Sequence, residues 1–393
     1  MVRRPTSRLA VTSVAAGLLL GVAALTGCTA HSAASPALSG GEPPPIPLAA
    51  GLSVPGLSWA TVRTGGPSVG GKFWQLLVRD RAGGRWRLAT PPGVADNGGL
   101  AVTRADAGTI TVGFVPSQLL KFTPLAVTSD SGAHWSQGLL PAALAGAPDS
   151  LAPAGDRLVA ITTKSVLESS SGTTGWTTLV RLSALAATQA GRRCGLVSLS
   201  GAVVEPDGTV MVAGGCRRPR TIGLFAATPS GWQQAGPVLP GSLGLKSASV
   251  AGLISTKAGT AALVAGRTAH GEILIPAWLA AGSSSWRSDV PTSLPDSVAS
   301  VSGSASGVWA VALNGRHGLV TPPPSLSASH HDLARQISLP ADDATLVPGA
   351  GEGELTALVP GLNTVAVWDL TANGSWRRSQ VISVPATPGG QSQ

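Results

Sequence analysis

Several side-chain clusters in this 393-residue chain could do chemistry. Paired carboxylates at Glu205 and Asp207, at Asp342 and Asp343, and at Glu352 and Glu354 could divide the acid and base roles of glycoside hydrolysis, which needs two carboxyl groups at a defined separation. Each pair also has a plainer reading. Glu205-Pro206-Asp207-Gly208 has turn chemistry, Asp342-Asp343 falls between apolar runs as a solvated loop would, and Glu352 and Glu354 sit among glycines, where a hairpin turn fits. His330-His331-Asp332 offers imidazoles to a metal or a proton, but adjacent histidines on a strand point to opposite faces. With no second ligand cluster, a surface loop is the better reading, and no metal or other cofactor is expected. Gly66-Pro67-Ser68-Val69-Gly70 matches Gly-x-Ser-x-Gly, whose serine acts as a nucleophile on a strand-to-helix turn. Here β-prone runs flank it on both sides, residues 59–62 and 73–78, so a hairpin loop is expected and no catalytic residue is assigned.

The densest charge is basic. Arg192 and Arg193 precede Cys194, while Arg217, Arg218 and Arg220 follow Cys216. Between the cysteines, the β-rich runs 196–204 and 209–213 flank the Glu-Pro-Asp-Gly turn, which is the pattern of a β-hairpin. A disulfide between Cys194 and Cys216 at the open end of that hairpin would stabilise the fold by roughly 3 kcal/mol on the chain-entropy account. It would also gather the five arginines, whose guanidinium groups could clamp carboxylate or phosphate. The competing reading is a solvated loop whose arginines lie near anionic lipid headgroups. No basic helix or aromatic-basic ladder points to nucleic acid.

These residues must be positioned by strands. Tryptophans preceded by glycine and short polar residues recur at Trp86, Trp135, Trp176, Trp232, Trp286 and Trp376, with spacings of 49, 41, 56, 54 and 90. The last spacing is two units of 45, so a degenerate unit should end near His331. Repeats of about 40 to 50 residues are the signature of propeller blades with four strands each. Upstream of each tryptophan lies an apolar run that fits the second strand of a blade, such as residues 109–112, 158–161 and 355–358. The runs 125–127 and 365–368 fit the third strand. Gly and Pro interrupt every helical candidate. The expected fold is all-β, a propeller of seven four-stranded blades over residues 52–388 with a tail over 389–393.

One repeat carries a recognisable motif. Thr128-Ser129-Asp130-Ser131-Gly132-Ala133-His134-Trp135 resembles the Asp-box of sialidase-like and related bacterial propellers. The resemblance implies a structural hairpin turn in which Asp130 caps backbone amides, Gly132 takes positive φ, and Trp135 packs between blades. Sialidases use a tyrosine nucleophile, and this chain has no tyrosine, so sialidase activity is not expected.

The start of the chain gives an address. Arg3, Arg4 and Arg8 precede an uncharged run from Leu9 to Leu25, and Leu25-Thr26-Gly27-Cys28 resembles the lipobox of bacterial lipoproteins. That resemblance implies cleavage after residue 27, a diacylglycerol on Cys28 and an extracytoplasmic, membrane-anchored protein. Residues 28–51, rich in Ala, Ser, Gly and Pro, read as a tether. Removing residues 1–27 lowers the net charge from +8 to +5, mild for this length. The expectation is a binding or assembly scaffold for a protein or glycan partner. A hydrolase or lyase of envelope glycans is the alternative.

Overall fold

The computed structural model describes residues 49–385, apart from 55–56, 66–72, 82, 93–97, 106–107, 116–119, 147, 220–221, 257, 322–333 and 350–352. Cys28 with its export signal, the 66–70 motif, Arg220, His330, His331, Asp332 and Glu352 lie outside the described residues. Within them, runs of Val, Leu, Ile, Thr and Ala between Gly- and Pro-rich turns form antiparallel strands throughout. An eight-stranded sheet holds two four-stranded units joined through their innermost strands, Ala49–Val54 lying parallel to Val298–Ser304. A nine-stranded sheet holds two more, joined where Cys216 pairs with Ala248. Three four-stranded sheets hold one each. In chain order these blades span residues 49–88, 99–140, 151–181, 196–234, 247–293, 298–338 and 345–383.

The chain is a β-propeller, and its core is divided among the seams between blades. Trp135 packs into the apolar cluster between the first and second blades, and Trp176 into the next. Trp232, Trp286 and Trp376 do the same between third and fourth, fourth and fifth, and sixth and seventh. Trp86 packs with Val347, Val367 and Ile382, which closes the last blade onto the first. The seam between the fifth and sixth blades is filled by Trp278 and Trp309 instead. That seam belongs to the unit whose repeat tryptophan is missing from the sequence. Indole nitrogens reinforce several seams: Trp176 Nε1 donates to the Leu139 carbonyl at 3.0 Å and Trp376 Nε1 to that of Ser338 at 2.7 Å. Ring closure adds a reciprocal pair, the Trp86 amide donating to Gln380 Oε1 at 3.1 Å and Gln380 Nε2 donating to the Trp86 carbonyl.

Two features depart from the sequence reading. The first innermost strand, Ala49–Val54, begins inside the segment expected to be tether. Its glycine is a packing requirement, because a Cβ on Gly51 would lie 2.9 Å from Ser302 Oγ and 3.0 Å from the Trp59 carbonyl. In addition, two short helices, α1 (Leu182–Ala187) and α2 (Gln189–Cys194), join the third and fourth blades. Thr188 caps α2 by accepting from the Gly191 amide at 3.0 Å, and Leu185 is fully buried in the adjoining seam. The Cys194–Cys216 disulfide pins the end of α2 to the second strand of the fourth blade, where Leu196 pairs with Cys216.

The upper face is taken here as the one where innermost strands begin and second strands end. The lower face carries the turns from first to second and from third to fourth strands.

Candidate functional site

Asp149 enters the axis of the ring just ahead of the third blade's innermost strand, Leu151–Ala154. Its backbone carbonyl accepts from the Ala202 amide at 2.9 Å and its Oδ2 from the Leu253 amide at 3.2 Å, so it ties the third blade to the fourth and fifth. The carboxyl group borders an axial cavity of about 140 Å³ lined by Trp59, Arg104, Leu253 and Trp309 among others. Burial pushes its pKa up to about 7 despite the Leu253 hydrogen bond. A space of this size holds one benzene-sized group or a few waters.

A larger concavity lies on the lower face at the closing seam. It measures about 590 Å³ and is lined by Arg79, Trp86, Glu354, Asp369, Ser379 and Gln380, among others. Arg79 ends the strand Phe73–Arg79 and is only 7% exposed, with its guanidinium carbon 5.0 Å from the Trp86 ring centroid. Its Nε is buried without a hydrogen-bond partner among the described residues. Burial pulls the Arg79 pKa below its ordinary value, and the charges of Asp369 and Glu354 oppose that shift. Asp369 also accepts from Thr356 Oγ1 at 3.1 Å. Donors, acceptors and an aromatic plane therefore converge on one groove. Sequence reasoning did not single out Arg79; the available signal was a charged residue ending the apolar run Phe-Trp-Gln-Leu-Leu-Val.

The residues singled out in the sequence fall elsewhere. Arg192 and Arg193 occupy the last turn of α2, and Arg217 and Arg218 follow the strand ending at Cys216. All four are exposed on the upper face, and the Arg218 amide donates to the Cys194 carbonyl at 2.7 Å. They do not reach the axial cavity. That cavity touches the fourth blade at Ala202 to Val204, about 20 Å along the strand from Leu196 at roughly 3.3 Å per residue.

At the lower turn of the second blade, Thr128 Oγ1 donates to Asp130 Oδ1 at 2.7 Å and accepts from the Gly132 amide at 2.9 Å. Asp130 Oδ1 accepts from the His134 amide at 2.9 Å. These bonds, led by the one from His134, hold the Asp130 carboxyl well below its usual range. Gly132 has φ +94°, and a Cβ there would lie 2.9 Å from that of Ala89 in the first blade. Trp135 packs into the seam beside it.

The carboxylate pairs are engaged locally. Asp207 accepts from the Thr209 amide at 2.8 Å and Glu205 Oε1 from Thr260 Oγ1 at 2.5 Å. Asp342 pairs with Arg316 at 3.1 Å beside a further upper-face groove lined by Arg63, Asn314 and Asp343. No group of His, Cys, Asp and Glu that could hold a metal is found among the described residues. Nor is any helix among them long and apolar enough to cross a membrane.

No family model matches the chain, and no curated protein matches it. Solved structures do. The periplasmic gluconolactonase of Pseudomonas aeruginosa matches at 14% identity with a TM-score of 0.55, over 84% of this chain and 96% of that one. A protein from Lactobacillus plantarum matches at 13% identity and TM-score 0.52, over 83% and 96%. The extracellular domain of a hybrid two-component system from B. thetaiotaomicron matches at 12% and 0.46; the chain covers 37% of its length. At such identities the likeness is one of fold, that of β-propellers, and the matched proteins include periplasmic and extracellular ones.

Proposed function

We propose that this protein is a lipid-anchored, extracytoplasmic β-propeller that serves as a binding scaffold for a protein or glycan partner of the cell envelope. The anchor rests on the lipobox-like Leu25 to Cys28 and the compartment on the Cys194–Cys216 disulfide, a bond that persists where the surroundings are oxidising. The periplasmic setting named for the gluconolactonase of the same fold agrees with that compartment.

The observation that carries the binding role is the closing-seam groove. Its buried Arg79 keeps an unpartnered Nε beneath a concavity several times the axial cavity in volume. A ligand carboxylate or hydroxyl seated in the groove would lie beside the Arg79 charge and would offset part of the cost of burying it. Trp86 and Gln380 would frame it.

The test is retention of envelope polysaccharide and envelope protein fractions by the immobilised, membrane-processed protein, with release of reducing ends measured in parallel. Stable retention without release is expected. Arg79→Gln should weaken retention about tenfold or more, the cost of a lost hydrogen bond to a charged group. Release of reducing ends that disappears in Glu354→Gln and Asp369→Asn would replace the scaffold with a hydrolase.

A further inference from the structure

The upper face is chemically lopsided. Across the second to fourth blades it presents exposed Lys121, Lys164, Arg192, Arg193, Arg217 and Arg218. Described carboxylates of the same blades lie at lower-face turns or strand ends, Asp130, Asp156, Glu168, Glu205 and Asp207, while Asp149 lies on the axis. The acidic residues of the upper face, Glu272 and Asp342 among them, belong to the fifth to seventh blades. Exposed apolar side chains stand within the basic arc: Leu120 and Phe122 bracket Lys121 and are 44% and 42% exposed, and Val197 lies beside α2. Val238, 76% exposed, lies at its far end.

We propose that this arc seats on an anionic membrane surface, apolar tips entering the headgroup layer and cations meeting lipid phosphates. The inference rests on the lipid-anchored reading and deepens it. Chain entry agrees, because Ala49 begins its strand on the same face, parallel to Val298–Ser304. Twenty residues separate it from Cys28, a reach of at most about 70 Å. The face that meets the membrane is thus the one the anchor leads to, with no need for the chain to pass around the ring. A partner protein would accept the same arginines, but it gives no reason for the charge to gather on the anchor's face. Seated this way, the ring turns the Arg79 groove on the lower face outward, open to a partner.

The test uses the membrane-processed protein reconstituted into vesicles with brominated acyl chains, made of phosphatidylcholine with 30% phosphatidylglycerol or of phosphatidylcholine alone. Fluorophores are placed at Thr163→Cys, in the basic arc, and at Ser283→Cys, an exposed lower-face turn. Quenching at 163 should exceed that at 283 at least threefold in anionic vesicles, and the difference should shrink in phosphatidylcholine alone. Charge reversal by Lys121→Glu with Lys164→Glu should diminish it, whereas Arg81→Glu with Arg335→Glu on the lower face should not. Equal quenching at the two sites in anionic vesicles would overturn the proposal. So would a protein crosslink from position 163 in native membranes without lipid quenching. The mass of the N-terminal peptide, read on the same samples, separates failure of membrane seating from failure of lipidation at Cys28.

Discussion

At neutral pH Asp149 stands near its midpoint of ionisation, because burial penalises its charge more than the Leu253 amide rewards it. The sign of the resulting pH dependence follows. Below about pH 4 the group is protonated in both folded and unfolded chains, and it adds nothing. Between about pH 4 and 7 the unfolded chain has released the proton that the folded chain keeps, so stability falls as pH rises, on the order of 4 kcal/mol in all. Asp149→Asn should therefore raise the melting temperature at pH 7.5 and leave it almost unchanged at pH 4. Thermal unfolding across that range measures both. Asp130 and Asp207 act with the opposite sign: their depressed pKa values contribute stability above the ordinary carboxylate range, which is lost as pH falls through their folded values. Asp130→Asn should thus weaken the protein at neutral pH and still at pH 4, where Asp149→Asn is silent, and lose its effect only in stronger acid.

The disulfide ties the end of α2 to the end of the fourth blade's second strand, across the hairpin that lies between them in the chain. Cys194 and Cys216 enclose a sequence separation of 22, so Cys194→Ala with Cys216→Ala should cost about 3 kcal/mol, read as a lowered urea midpoint with little change in slope. Trp176→Phe keeps the ring in its seam but removes the bond to Leu139, and about 1 kcal/mol should be lost. Much of this level was legible in the sequence. The tryptophan spacing marked the blades, and residues 110–112 of the run 109–112, with 158–161 and 355–358, fall in second strands while 125–127 and 365–368 fall in third strands. What was not legible has physical causes. Ala50 and Gly51 read as linker by composition, yet Ala50 is buried and Gly51 has no room for a Cβ between neighbouring strands. α1 and α2 are too short to show a helical period. The groove's polarity was hidden because the residues that meet there, such as Arg79 and Asp369, stand 290 positions apart in the chain.

As a whole molecule the ring has one seam that no continuous chain crosses, and that seam also forms the groove. Closure depends on Trp86, Gln380 and the apolar cluster around Val367 and Ile382. Gln380→Ala should raise hydrogen exchange first in Trp376–Ser383 and Phe73–Arg79, ahead of the remaining blades, because local opening begins where contacts are fewest. The same substitution should weaken ligand retention, since Gln380 lines the groove. The most direct test of the scaffold account is photo-crosslinking in native membranes from a reactive residue at Ser379, with Asn373 on the same face but outside the groove lining as the control. The account predicts one dominant adduct, protein or glycan, in near-stoichiometric yield from 379, lost with Arg79→Gln and absent from 373. Equal, scattered adducts from both positions, unchanged by Arg79→Gln, would contradict it.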